Sequence, residues 1–175
     1  MIQEVEIKKG VTTETRKVAY AVVLVAVGVA LAPYTSFPIG MAKVNPTQHF
    51  VNVLAAVLLG PWWAVVAAAV IAVLRNVLGV GTLLAFPGGM IGAFLAGLLY
   101  RQTRKVYAGA AGEIVGTGLI APVVSAFLVA PFIMGKVIPL FALVPSFLAS
   151  TIAGAALGIL ALNLLQRAEI VELDG

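Results

Sequence analysis

The fold is decided by residues 46–87, which read PTQHFVNVLAAVLLGPWWAVVAAAVIAVLRNVLGVGTLLAFP. This apolar stretch carries a small set of strongly polar side chains, namely Gln48, His49, Asn52, Arg75 and Asn76. Polar groups held at membrane depth are costly and usually serve a function. The stretch therefore predicts a binding site inside a lipid bilayer.

The composition of the whole chain indicates an integral membrane protein. Of its 175 residues, 62% are hydrophobic and 10% are charged, and the mean hydropathy is +1.10. A soluble domain is about half apolar and about one quarter charged. The net charge is only +4, and the cations lie near the ends of apolar segments, so nucleic acid is not an expected partner.

The apolar segments predict an all-α, polytopic membrane protein with six transmembrane helices. Their bounds are about 17–33, 46–60, 62–78, 88–101, 108–133 and 139–166. A polar N-terminal segment (1–15) and a C-terminal tail (168–175) flank the transmembrane domain (16–167). Prolines inside the last two segments, Pro122, Pro131 and Pro145, predict kinks or local breaks.

The second segment has a well-marked start and end. Asn45 is a typical N-cap, and Pro46 suits the first helical position, where its missing N–H costs nothing. Gly60 and Pro61 should end the helix. The resulting helix is too short to span a bilayer alone, so we expect the loop before it to fold back into the outer half of the protein.

The distribution of Lys and Arg predicts that both termini are cytoplasmic. One set of cations falls on the side of the termini: Lys8, Lys9, Arg16, Lys17, Arg101, Arg104, Lys105 and Arg167. Only Lys43 and Lys136 fall in loops on the other side. Short cytoplasmic loops carry the excess of positive charge in most membrane proteins.

The polar residues of the opening stretch are expected to meet in the outer half of the membrane. Counted from the turn at Gly60, His49 and Arg75 stand roughly 16 and 21 Å along their helices. The predicted pocket opens outward beneath the loops 37–43 and 79–86, with Phe37 and Phe86 as walls for a ring. No second cation is expected beside Arg75, which favours a neutral ligand because a dehydrated phosphate needs more compensation.

Glu113 is the acidic residue that stands out, because no other lies between Glu14 and Glu169. With Thr117 one turn further on, it predicts a second polar lining nearer the cytoplasm than Arg75. A carboxylate near a helix N-terminus can be structural, or it can handle a ligand or a proton, and the sequence leaves these roles open.

The residue inventory argues against an enzyme. The chain contains one His, and its only Asp is Asp174 in the tail, so a Ser-His-Asp triad or a metal cluster at membrane depth is not expected. We predict no catalytic residue, no metal site and no cofactor. A phosphate-binding G-x-x-x-x-G-K-[ST] loop is also missing from the sequence, so ATP-driven pumping would need a partner.

Four stretches closely resemble the ThiW family, whose members look like substrate-binding S components of energy-coupling factor (ECF) transporters. They are residues 43–53, 59–62, 75–88 and 112–118, and the resemblance covers most of residues 16–167. Thr82 and Gly89 stand where many relatives are expected to carry Ser. The resemblance implies a six-helix S-component-like bundle in a prokaryotic cell membrane, without nucleic-acid or enzymatic function.

The resemblance also implies substrate and partners. The substrate would be hydroxyethylthiazole, the thiazole precursor of thiamine, captured from outside and released inward as the protein tilts. A transmembrane coupling subunit (EcfT) and two ATPase subunits would power uptake. Ala26 and Ala30 resemble the small-residue surface that contacts the coupling subunit, although such spacing is common wherever helices pack closely.

Three alternatives stay open at this stage. The chain could be an S component for another thiamine precursor, including a phosphate ester of the thiazole. It could be a self-sufficient secondary transporter, with Glu113 as the coupling group. It could also be a membrane-assembly subunit, which tight binding of a small molecule would argue against.

Overall fold

A computed structural model describes residues 13–39 and 42–171 of the chain. Most of the predicted N-terminal segment (1–15) and half of the predicted tail (168–175) lie outside these ranges. Gly40 and Met41, in the loop expected to roof the pocket, also lie outside the described residues.

Helices dominate the described part of the chain, as the sequence predicted. The elements are α1 (Thr13–Thr35), β1 (Phe37–Ile39), β2 (Ala42–Val44), α2 (Pro46–Leu59), α3 (Pro61–Val77), α4 (Ala85–Thr103), α5 (Val106–Ile133) and α6 (Leu140–Arg167). Helices α1, α5 and α6 are long and apolar enough to cross a membrane, whereas α2 and α3 are shorter apolar helices. Helix α4 begins earlier than expected, so the loop before it is shorter.

Helix α2 lies at the centre of the bundle and packs against each of the other five helices. Asn45 caps it as predicted, since its side-chain oxygen accepts a hydrogen bond of 2.7 Å from the backbone N–H of Gln48. Gly60 separates α2 from α3 with a φ of +87°, which a glycine adopts without strain. In this central position the polar side chains of α2, namely Thr47, Gln48, His49 and Asn52, are all buried.

The prolines in the last two segments do not end the helices that contain them. Helix α5 continues through Pro122 and Pro131, and its stretches Gly116–Ile120 and Ser125–Ile133 have the wider turns of a π-helix. Such turns often accompany functional sites. Pro145 likewise lies inside the continuous helix α6.

A two-stranded antiparallel hairpin precedes α2. Its register pairs Phe37 with Val44 and Pro38 with Lys43. The hydroxyl of Ser146 in α6 donates to the carbonyl oxygen of Ile39 at 2.8 Å. The Lys43 ammonium donates to the carbonyl oxygen of Gly79, in the α3–α4 loop, at 3.1 Å. The hairpin is thereby tied to two other parts of the bundle at one end.

Large apolar side chains cover the outside of the bundle. Phe132, Phe141 and Val77 are 81%, 79% and 78% exposed. So many large apolar side chains on the surface indicate contact with a membrane or a partner rather than with water.

Small residues let the helices approach closely inside the bundle. A Cβ atom added to Gly116 of α5 would lie 2.7 Å from the Cα of Gly92 in α4. A Cβ atom on Gly154 of α6 would lie 2.6 Å from the Cβ of His49 in α2. These small-residue ridges therefore pack helices within the chain.

Candidate functional site

A small cavity lies at the hairpin end of the bundle. Four parts of the chain line it: the hairpin and the start of α2 (Lys43, Val44, Asn45, Gln48, His49), α3 (Arg75), the α3–α4 loop and the start of α4 (Thr82, Leu84, Ala85, Gly88, Gly89), and α6 (Ser146, Phe147, Ser150). Inside it, the centre of a water-sized sphere can move through a space of about 30 Å³. That is enough for one or two water molecules.

Arg75 and Gln48 form the polar wall of the cavity. Arg75 is 3% exposed and Gln48 is 1% exposed. The Nη1 group of Arg75 donates a hydrogen bond to Oε1 of Gln48, and Nη2 lies 3.4 Å from the hydroxyl of Ser36. Among the described residues, Nε of Arg75 and Nε2 of Gln48 have no hydrogen-bond partner. The wall thus offers two buried donors.

His49 connects the cavity to a buried carboxylate. Its Nδ1 lies 2.8 Å from Oε1 of Glu113. The same oxygen accepts from Nδ2 of Asn52 at 3.1 Å and lies 2.9 Å from the Thr117 hydroxyl, which donates to the carbonyl oxygen of Gly88 at 2.7 Å. Glu113 and Thr117 are 0% exposed, and Asn52 is 1% exposed. These three residues lie behind His49 and do not themselves line the cavity.

The expectation of a separate second lining around Glu113 is therefore corrected. Helix α5 packs against α2, which brings Glu113 onto His49 although 64 positions separate them in the chain. A count of residues along one helix could not reveal this contact, because it depends on how the two helices are placed side by side.

The position of Lys43 corrects a second expectation, namely that Arg75 is the only cation at the site. Lys43 lines the cavity together with Arg75, so two cations rather than one border the site. Paired strands bring it there, because Lys43 lies in β2, immediately before α2.

Asn76 serves the α3–α4 loop. Its side-chain amide donates to the carbonyl oxygens of Ala72 at 2.8 Å and of Thr82 at 3.2 Å. Asn76 is outside the cavity lining, although Arg75 beside it in the chain is part of the lining. Its contacts hold the loop that carries Thr82 to the cavity.

The aromatic wall differs from the expected one. Phe37 is 47% exposed on the hairpin, and neither Phe37 nor Phe86 lines the cavity. Among the described aromatic rings, Phe147 of α6 takes this place and is 9% exposed.

Sequence reasoning also missed Ser146 and Ser150 of α6. The Ser150 hydroxyl accepts from the backbone N–H of Asn45 at 3.0 Å, which ties α6 to the cap of α2. The two serines are four residues apart in an apolar helix. Residues four apart lie on the same face of a helix, so this spacing in an apolar segment is the signal that could have found them.

Ala26 and Ala30 lie elsewhere, on an apolar groove between α1 and α3 that also includes Trp63. The groove faces outward from the bundle and is separate from the polar cavity. Its position fits a surface that meets lipid or another membrane protein.

Comparisons with known proteins bear on family and fold. The family model for ThiW, described as a thiamine-precursor transporter protein, matches residues 18–168. No curated protein sequence matches the chain. Among solved structures, the S component of a bacterial ECF transporter is similar in fold, with a TM-score of 0.73 at 19% identity. The match covers 89% of this chain and 98% of that one.

The family match and the fold agree with the membrane character of the sequence. The solved structure shares the arrangement of helices, and the family match spans the helices that carry the cavity. The chain is a multi-pass membrane protein with an S-component fold, and it belongs to the ThiW family of thiamine-precursor transporter proteins.

Proposed function

We propose that this protein is the substrate-binding subunit of an ECF-type transporter and captures hydroxyethylthiazole from outside the cell. The observation that carries the proposal is the enclosed polar cavity at one end of the central helix α2. Arg75 and Gln48 present unpartnered buried donors there. A thiamine-precursor transporter family and an S-component fold give this cavity its context.

The cavity suits a small molecule with one apolar ring and one polar group. Phe147 and Leu84 offer apolar surface, while Gln48, His49 and Arg75 supply the polar contacts. Ligand sites commonly combine mostly apolar walls with a few placed polar groups.

Access to the cavity requires the covering segments to move. The polar side chains that line it, among them Gln48, His49 and Arg75, are buried, so a ligand cannot reach them while the covering segments stay in place. The exposed Lys43–Gly79 hydrogen bond joins the hairpin to the α3–α4 loop and is inexpensive to break, because exposed groups regain water as they part. We infer that the ligand enters as these two segments separate.

Uptake would depend on partner subunits. The sequence contains no phosphate-binding loop, so two ATPase subunits and a transmembrane coupling subunit would supply the energy. The groove containing Ala26 and Ala30 is the proposed contact for the coupling subunit, with both termini cytoplasmic and the cavity at the outer face.

A two-part experiment tests this function. Calorimetric titration of the purified chain with hydroxyethylthiazole should show saturable binding. Liposomes that contain only this chain should show no sustained accumulation of the ligand, and adding the coupling and ATPase subunits with ATP should produce accumulation. Absence of binding would contradict the proposed substrate, whereas accumulation by the chain alone would contradict the subunit role.

A secondary transporter is the second candidate, favoured by the buried Glu113 carboxylate bonded to His49. In that case the chain alone would accumulate ligand in response to a proton gradient. Glu113→Gln would then abolish accumulation, which distinguishes this function from binding alone.

A further inference from the structure

The hydrogen bonds around Glu113 determine which nitrogen of His49 carries a proton. Oε1 of Glu113 accepts from the Asn52 amide and lies against Nδ1 of His49 at 2.8 Å. In its ionised form the Glu113 carboxylate only accepts hydrogen bonds, so in that form the shared proton belongs on Nδ1 of His49. In a neutral imidazole the other nitrogen, Nε2, is then an acceptor.

The accepting nitrogen belongs to a ring that lines the cavity. Among the described residues, Nε2 of His49 makes no hydrogen bond, whereas Nδ1 is bonded to Glu113. Glu113 itself is outside the cavity lining. Of the three side chains that contact Glu113, His49 is the one that lines the cavity itself, whereas Asn52 and Thr117 bond to the backbone carbonyl oxygens of Gly89 and Gly88.

Gln48, the residue before His49 in the chain, offers a hydrogen-bond donor where His49 offers an acceptor. An arginine side chain can only donate hydrogen bonds, so the Arg75–Gln48 contact places Oε1 of Gln48 toward Arg75. The amide group Nε2 of Gln48 then points toward Gly89, and both residues line the cavity. This buried Nε2 has no partner among the described residues, so its capacity to donate is unused until a ligand enters and reaches it.

We propose that Glu113 is a positioning residue that holds His49 in the Nδ1-protonated form, so that the cavity presents an acceptor beside the Gln48 donor and selects a hydroxyl group. A hydroxyl can donate to His49 and accept from Gln48 at once. This inference rests on the proposed function and specifies the part of the substrate that is recognised: a primary alcohol rather than an ether or a fully ionised phosphate, neither of which can donate.

The first experiment reads the protonation of His49 directly and needs no ligand. The chain contains one histidine, so histidine-specific ¹⁵N labelling of the full chain in lipid nanodiscs gives ring signals from His49 alone. We expect a protonated Nδ1 and an unprotonated Nε2. A proton on Nε2, in either the neutral or the charged ring, would overturn the proposal.

Variants then test whether Glu113 causes this form. Glu113→Ala should give a mixture of the two neutral forms, and Glu113→Gln, which keeps a carbonyl acceptor, should give a smaller change. Ser125→Ala is the matched control, because Ser125 is buried in the same helix and lies outside the cavity and its hydrogen-bond network. If both Glu113 variants retain the signals of the parent chain, Glu113 has no positioning role. If Glu113→Ala fails to fold, Glu113→Gln decides the question.

The second experiment measures selection of the hydroxyl group. The parent chain should bind hydroxyethylthiazole at least about tenfold more tightly than its O-methyl ether. In Glu113→Gln this preference should shrink while the preference in Ser125→Ala stays unchanged. Equal binding of alcohol and ether by the parent chain would refute hydroxyl selection. If neither compound binds, the proposed substrate and its selection are both wrong, and the ¹⁵N signals still decide the role of Glu113.

Discussion

Arg75 shows how a single buried cation can serve recognition without an acidic partner. Its described hydrogen bonds go to neutral oxygens of Gln48 and Ser36. A buried charge needs compensation, and here the compensation comes from dipoles that also orient Gln48. We therefore expect Arg75 to act on the ligand site both through its own unpartnered Nε and through the amide of Gln48.

Replacement of Arg75 tests this double role. Arg75→Gln should weaken hydroxyethylthiazole binding about tenfold, or about 1.4 kcal/mol, because Gln48 loses the donor that orients it. If the ligand is the neutral alcohol of the proposed function, the affinity of the parent chain should change little between low and high salt. Calorimetric titration measures both effects.

A cation outside the site provides the control for this experiment. Lys136→Gln should leave affinity unchanged, because Lys136 is exposed in the α5–α6 loop and away from the cavity. Tighter binding of the phosphate ester than of the alcohol, with that preference lost in Arg75→Gln, would contradict a neutral ligand. Lys43 in the cavity lining makes this comparison informative.

At the scale of elements, the packing of α6 against α2 places the site. Gly154 of α6 lies so close to α2 that an added Cβ would be 2.6 Å from the Cβ of His49 and 2.9 Å from the backbone nitrogen of Phe50. Ser150, one turn before Gly154, bonds to the start of α2. The orientation of His49 therefore depends on a close helix contact as well as on Glu113.

A side chain at Gly154 should disturb both stability and binding. Gly154→Val should destabilise the fold by about 1–3 kcal/mol through overpacking and should lower ligand affinity by moving His49. Thermal unfolding and calorimetric titration measure the two effects. Ala153→Val places the same side chain on the exposed face of α6 and should change neither. Equal behaviour of the two variants would show that the close contact has no role in the site.

At the scale of the whole molecule, charge predicts orientation. The cations Arg101, Arg104 and Lys105 cluster around the α4–α5 connection, whereas Lys136 is the cation of the α5–α6 loop. Because positive charge accumulates in cytoplasmic loops, the α4–α5 connection should face the cytoplasm and the cavity should face outward.

Cysteine labelling tests this orientation cleanly, because the chain contains no cysteine. In intact cells a membrane-impermeant maleimide should label Lys136→Cys and should label Thr103→Cys only after the membrane is opened. Both positions are exposed, so accessibility to water on the correct side should decide the result. The reverse pattern would place the cavity on the cytoplasmic side.

The sequence by itself determined the membrane class, the helical architecture and the start and end of α2. These properties depend on composition and on neighbours within a few residues. The apolar segments must bury their backbone polar groups in helices within lipid, and Asn45, Pro46 and Gly60 are local markers of helix ends. The same local reasoning found Gln48, His49 and Arg75, because polar residues in an apolar segment are visible without a structure.

Only the tertiary structure decided which of these side chains act together. Glu113 meets His49 across 64 positions, Phe147 replaces Phe37 and Phe86 as the aromatic wall, and Lys43 joins Arg75 at the cavity. Each of these contacts depends on the relative rotation and depth of separate elements. Close packing of small residues sets that rotation and depth. The spacing of residues within one helix does not show how that helix is placed against its neighbours.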